Sequence, residues 1–202
     1  KDFKVVISFS LALFALGLFQ TTATQSRPII LSMFSQDGAS AVAEFRIVEV
    51  FPSFIIMLSG VFGGIFLPKT SEMVARKDHA ATERFAYKWT RLTTIVVNIL
   101  CFPFIIGAKD ALSAYVGTQY SNLSIWLIIW VLTVLWQMHT TPGNALVLAY
   151  GKTKLLVIVT AVDCVLSIVL NCILSKYLGV GSAIVAYAFY VLIIIGLYYI
   201  AF

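Results

Sequence analysis

Residues 155–175 read LLVIVTAVDCVLSIVLNCILS. A helix needs about 20 residues to cross the hydrocarbon core of a bilayer, and this run supplies one such crossing. Its polar residues are not scattered. Thr160, Asp163, Ser167 and Asn171 follow one another at spacings of three, four and four, which places them in one stripe on a helix. A polar group left unpaired in lipid costs several kcal/mol, so a stripe of four must face the interior of a bundle or water.

Five more apolar runs lie around this one, at 5–34, 40–67, 91–108, 122–149 and 180–202. They are too long and too continuous for barrel strands, which alternate every second residue. The expected fold is an all-α integral membrane protein, a bundle of six transmembrane helices forming a single lobe over 1–202. Composition agrees: 60% of residues are hydrophobic and 11% charged, against about 25% charged in soluble domains. The chain begins at Lys1 without a methionine and stops within an apolar run at Phe202, so it reads as a fragment of a longer membrane protein.

The net charge of +5 is explained by position and does not call for a nucleic acid partner. Lys1 and Lys4 precede the first run. Lys69, Arg76, Lys77, Arg84, Lys88 and Arg91 crowd the segment around 69–90, and Lys152 and Lys154 occupy the next loop on the same side. Lys109 and Lys176 are the basic residues of the opposite loops. The positive-inside rule then puts both ends and the basic 69–90 segment in the cytoplasm. Pro68 is expected to end the second helix, with a separate amphipathic helix over 71–88. Cys101, Cys164 and Cys172 sit in apolar runs without metal-ligand spacing and read as buried free thiols. No metal, cofactor or catalytic constellation is expected.

Several residues carry a possible site. Gln20, Thr24 and Arg27 share one face of the first helix, upstream of a kink expected at Pro28. Glu44, Arg46 and Glu49 stand in the outer third of the second, where Glu44 can snorkel toward the interface. Arginine stays protonated, so Arg27 and Arg46 need anions. Glu49 can serve Arg46 one turn away. For Arg27, either Glu44 or Glu49 reaches across from the second helix, or an anionic ligand does. Asp163 reads either as a site for a coupling proton or cation or as a hydrogen-bonded carboxyl that fixes packing. Gly60 and Gly64 form a small-residue pair for close helix approach. Trp126 and Trp130 are expected in the outer aromatic belt, and His139 in a hydrogen-bonded packing role.

Four stretches together resemble one family. SRPIILSMFSQDGASAVAEFRI (26–47) is similar to its seventh helix end, short outer turn and eighth helix start. GIFLPKTSEMVARKD (64–78) resembles the proline before its basic loop, and YVGTQYSNLSIWLIIW (115–130) its Gly-x-x-Tyr outer loop. Residues 146–188 resemble its Gly-Lys turn, a helix ending in Leu-Asn, a Gly-x-Gly turn and an alanine-rich helix. The family is the multidrug/oligosaccharidyl-lipid/polysaccharide exporter superfamily, and the nearest likeness is to O-antigen and polysaccharide flippases. The resemblance implies the carboxyl-terminal six-helix lobe of a two-lobe MATE-like transporter in a bacterial inner membrane, with an amino-terminal lobe beyond this chain. It implies a lipid-linked oligosaccharide as substrate, membrane lipids around it, polysaccharide polymerase and chain-length proteins as partners, and no enzymatic activity. Arg27 matches the family's basic position before Ile-Ile, while the acidic residue common before that arginine is Ser26 here.

Other readings stay open on sequence alone: a cation-coupled multidrug antiporter of the same superfamily, a lipid-linked peptidoglycan precursor flippase, or a membrane-embedded glycosyltransferase or acyltransferase fragment. The topology itself is testable. Single cysteines at Lys77 and at Asp110 are expected to react with a membrane-impermeant maleimide from opposite sides of the membrane in intact and permeabilised cells. Labelling of both from outside overturns the six-crossing arrangement.

Overall fold

The computed structural model describes residues 2–201, and the side chains of these except at 2–6, 8, 58–63 and 197–201. Among the described residues the chain is helical without strands. The helices are α1 (Asp2–Phe34), α2 (Ala39–Ala75), α3 (His79–Ile106), α4 (Ala108–Val116), α5 (Ser124–His139), α6 (Thr141–Ala149), α7 (Thr153–Leu178) and α8 (Val180–Ala201), with a 3-10 helix over Thr118–Leu123. Among the described residues three stretches are long and apolar enough to cross a membrane: His79–Ile106, Thr118–Ala149 and Thr153–Leu178. α1 and α2 are long as well, at 33 and 37 residues. Large apolar side chains point outward along these helices, among them Ile99, Met33 and Ile106, the last 83% exposed. Contiguous apolar surface of this extent suits a lipid environment.

The helices pack as two groups joined at their centre. α1 lies along α7, and α7 along α8. α2 and α3 pack with α5 and α6, and α5 also meets α8. The main core fills the junction: Leu31, Phe45, Val48, Ile55, Val97, Leu127, Val131, Val134 and Ile184 are sealed in it. Trp130 belongs to this core and not to an outer belt. Its ring lies 5.1 Å from Phe45 and 6.2 Å from Tyr187.

Four helix limits differ from the sequence reading. α2 continues through Pro68 to Ala75 and α3 already begins at His79, so 69–90 holds the ends of two long helices and no separate one. A proline removes one backbone bond from a helix. Here neighbouring groups support the helix beyond it: Thr70 Oγ1 donates to the Phe66 carbonyl at 2.7 Å, and Glu72 bridges Lys69 (3.1 Å) and Arg76 (2.7 Å). The hydrogen bond from Lys69 and the nearby Arg76 charge hold the Glu72 carboxyl below its ordinary range. The reversal falls on Lys77, with φ of 58°, and Asp78 then caps α3 by accepting from the Ala81 amide at 2.9 Å. Phe66, Phe85 and Trp89 pack ring on ring across the hairpin.

α1 stays helical through Pro28. The segment 107–121 between the third and fourth apolar runs is not a plain loop, because Ala108 and Leu112, one turn apart, anchor α4 to the bundle. The run at 122–149 divides at Thr140 into α5 and α6, where Pro142-Gly143 marks an interruption in the sequence and Pro142 falls in the first turn of α6. Gly60 lies outside the residues whose side-chain surroundings are described, and a methyl group at Gly64 would meet nothing within 4 Å. The close approach occurs elsewhere, where Gly181 of α8 abuts the Trp126 indole so that an added Cβ would stand 2.2 Å from the ring. Gly181→Ala is therefore expected to destabilise the protein by about 1–3 kcal/mol, the usual cost of overpacking. Thermal unfolding in detergent checks this, and Trp126→Phe, which removes the clashing ring, is expected to restore most of the loss. An Ala variant as stable as the parent contradicts the packing.

Candidate functional site

Polar residues from five helices converge on a cavity of ≈ 380 Å³ inside the bundle. α1 contributes the face identified by spacing: Gln20, Thr24 and Arg27 all line it. α7 contributes Thr160, and the α5–α6 junction adds Gln137, Thr140, Thr141 and Asn144. α8 adds Tyr187 and Tyr190. Gln20 and Thr24 of the cavity wall are exposed, and Thr21, Thr22 and Gln25 are exposed on other sides of the same stretch of α1. Polar groups at such a depth need water or a protein partner.

Arg27 is the cation of this cavity and is buried, with 4% of its surface exposed. Its guanidinium carbon stands 4.4 Å from the centroid of the Tyr187 ring. Its Nε has no hydrogen-bond partner. Among the described residues no carboxylate forms an ion pair with it. Glu49 lies within electrostatic reach of Arg27, but its carboxylate bonds Arg46 at 2.5 Å. Arg46 is about half exposed and does not line the cavity, which separates the two arginines in role. Glu44 is half-buried on the same helix and outside that pair.

The α7 stripe is buried along its whole length: Thr160, Asp163, Ser167 and Asn171 are each at most 2% exposed. Its lower members bond to α8. Ser167 Oγ donates to the Ala186 carbonyl at 3.2 Å, and Ser182 Oγ lies 2.9 Å from Asn171 Oδ1. Thr160 faces the cavity. Asp163 lies between these groups, fully buried, and neither of its carboxyl oxygens has a hydrogen-bond partner. The Tyr190 phenol lies within electrostatic reach of both Asp163 and Arg27. The interior therefore holds a cation and a carboxyl near one tyrosine without joining them.

Two residues of the site were missed by sequence reasoning. Tyr187 and Tyr190 sit three apart on α8, on the side that also carries the buried Ala183 and Ala186. A signal existed, since tyrosines of a membrane helix favour its ends and Tyr187 stands well inside α8. Gln137 and Thr140 were visible as a polar patch, but nothing in their spacing pointed to Arg27. His139, next to that patch, turns away from the cavity and shares a 2.6 Å hydrogen bond with Thr94 of α3. Compared with protein-family models, with curated proteins and with solved structures, the chain finds no match.

Proposed function

We propose that this chain is a six-helix lobe of a membrane transporter that moves an anionic, lipid-linked substrate across the bilayer, and that the substrate is a polyprenyl-diphosphate oligosaccharide used in cell-surface polysaccharide synthesis. The observation that carries this reading is Arg27. A protonated guanidinium lines a polar cavity with an aromatic ring against it and, among the described residues, no ion-paired carboxylate. A phosphoryl oxygen supplies the missing charge-assisted bonds. Transport requires that this attraction differ between the inward-open and outward-open states, since equal affinity for both shifts nothing. On this reading the basic 69–90 end is cytoplasmic, the membrane is a bacterial inner membrane, and an amino-terminal lobe closes the other side of the path. Polymerase and chain-length proteins consume the product, and the chain carries out transport and not catalysis.

A second reading rests on a different observation. Asp163 is a sealed carboxyl without a hydrogen-bond partner, one helical turn from Thr160 of the cavity wall. Such a group is suited to carry a coupling proton or cation, as a cation-coupled antiporter requires.

Arg27→Gln in the full-length protein is expected to lower surface glycan at least about tenfold in a flippase-deleted strain, from the loss of a charged hydrogen bond to the substrate. Arg46→Gln is expected to do much less, because its partner is Glu49, and Arg27→Lys to retain part of the activity. Export is normalised to protein in the membrane. Normal export by Arg27→Gln removes the anion site. Asp163→Asn tests the second reading: ion-driven transport is expected to disappear at unchanged membrane abundance. Full activity of that variant leaves Asp163 with packing alone.

A further inference from the structure

Three helices meet at one side chain of α8. The ring of Tyr187 lies against the Arg27 guanidinium of α1, with 4.4 Å from its centroid to the guanidinium carbon. Its hydroxyl donates to Gln137 Oε1 of α5. Its ring also meets Trp130 in a T-shaped contact, and Trp130 is packed on Phe45 of α2. Tyr187 is 4% exposed, so it is held on every side while still forming part of the cavity wall.

We infer that Tyr187 is the positioning residue of the Arg27 anion site: a fixed aromatic platform, tethered by Gln137, that holds the guanidinium by its face. The inference rests on the proposed anion site and names what gives that site its selectivity. A guanidinium carries its N–H donors in its own plane, in a fixed fork. A ring against its face satisfies part of its charge and leaves the donor edge unused. The Arg27 Nε is sealed and without a partner in this structure, so that edge of the fork is unclaimed and meets a ligand once the cavity opens. An oxyanion with two acceptor oxygens on one centre, as in a phosphoryl group, fits that edge with two parallel bonds. A lysine offers neither a flat face to rest on the ring nor a fork, so the platform is what makes arginine and lysine inequivalent at position 27. The tether comes from the last turn of α5, immediately before the break at Thr140. Movement at that break would therefore turn the ring and, with it, the fork.

The test is the binding of inorganic pyrophosphate to the purified full-length protein in lipid nanodiscs, measured by isothermal titration calorimetry. Arg27→Lys is expected to weaken binding about tenfold when Tyr187 is present. In a Tyr187→Leu background arginine and lysine at position 27 are expected to bind within about twofold of each other, because neither is oriented. An arginine-to-lysine penalty that survives unchanged in Tyr187→Leu overturns the inference. So does tighter binding by Tyr187→Leu, which makes the ring a cover and not a platform. A second pair decides the matter where the Leu variant does not fold. Tyr187→Phe and Gln137→Leu each cut the tether while keeping the ring, and each is expected to weaken binding about threefold, with no further loss when combined. Unchanged affinity in both overturns the inference. Pyrophosphate binding that Arg27→Gln abolishes, combined with any of these contrary results, removes only the role of Tyr187. Binding indifferent to Arg27→Gln removes the anion site itself and the platform with it.

Discussion

Lipid offers no hydrogen bonds, so a polar side chain on a crossing helix needs a partner at its own depth from protein or water. The arrangement of this bundle follows from that constraint. α7 carries four polar residues in one stripe, and burying them fixes which face of α7 turns inward. Ser167 and Asn171 find partners on α8, through the Ala186 carbonyl and the Ser182 hydroxyl. Thr160 finds the cavity. α1 is held against the same helix, so its own polar face, Gln20, Thr24 and Arg27, opens on the same space. The apolar residues between these stripes need nothing specific, which is why Ile158, Val162, Val165 and Val169 of α7 remain exposed.

The two ionisable groups of the interior differ in what the fold does for them. Arg27 is provided with an aromatic face; Asp163 is provided with no hydrogen-bond donor among the described residues. An ion pair between them would neutralise both and lock α1 to α7. Among the described residues that pair is not made. Tyr190 stands within reach of each, so the interior keeps two separate electrostatic sites on helices that pack together. On the second helix the opposite choice is made: Arg46 and Glu49 pair along one face, where the bond is local and exposed. An exposed pair of that kind is worth little to stability, which accords with its distance from the cavity.

Much of this was legible in the sequence where periodicity carries the information. The helical class, the inward face of α7 and the shared face of Gln20, Thr24 and Arg27 all follow from residues spaced three and four apart. Helix limits were less legible, because apolar runs mark where a chain meets lipid and not where its helix ends. α2 and α3 continue past that boundary, and the local clue was Asp78 three residues before Ala81, an N-cap inside a segment read for its charge alone. The Tyr187–Gln137–Arg27 contact was not legible. It joins helices distant in sequence, and tyrosine in an apolar run reads equally well as packing. Trp130 misled for the same reason: the belt tendency of tryptophan is an average over helices, and at this position Phe45 and Tyr187 enclose it.

The pairing of α1 with the last two helices also sets an order of assembly. Arg27 lies on the first helix, while the ring that stands against it belongs to the eighth. The ribosome adds about 5–20 residues per second, so some 160 residues of further synthesis take roughly ten to thirty seconds. During that interval the guanidinium has neither its cavity nor its platform. The charge must then be met by water or other groups outside the finished bundle. Arg27 completes its burial only when the carboxyl-terminal helices arrive, so a chain stopped before Tyr187 presents an arginine without the side chains that enclose it.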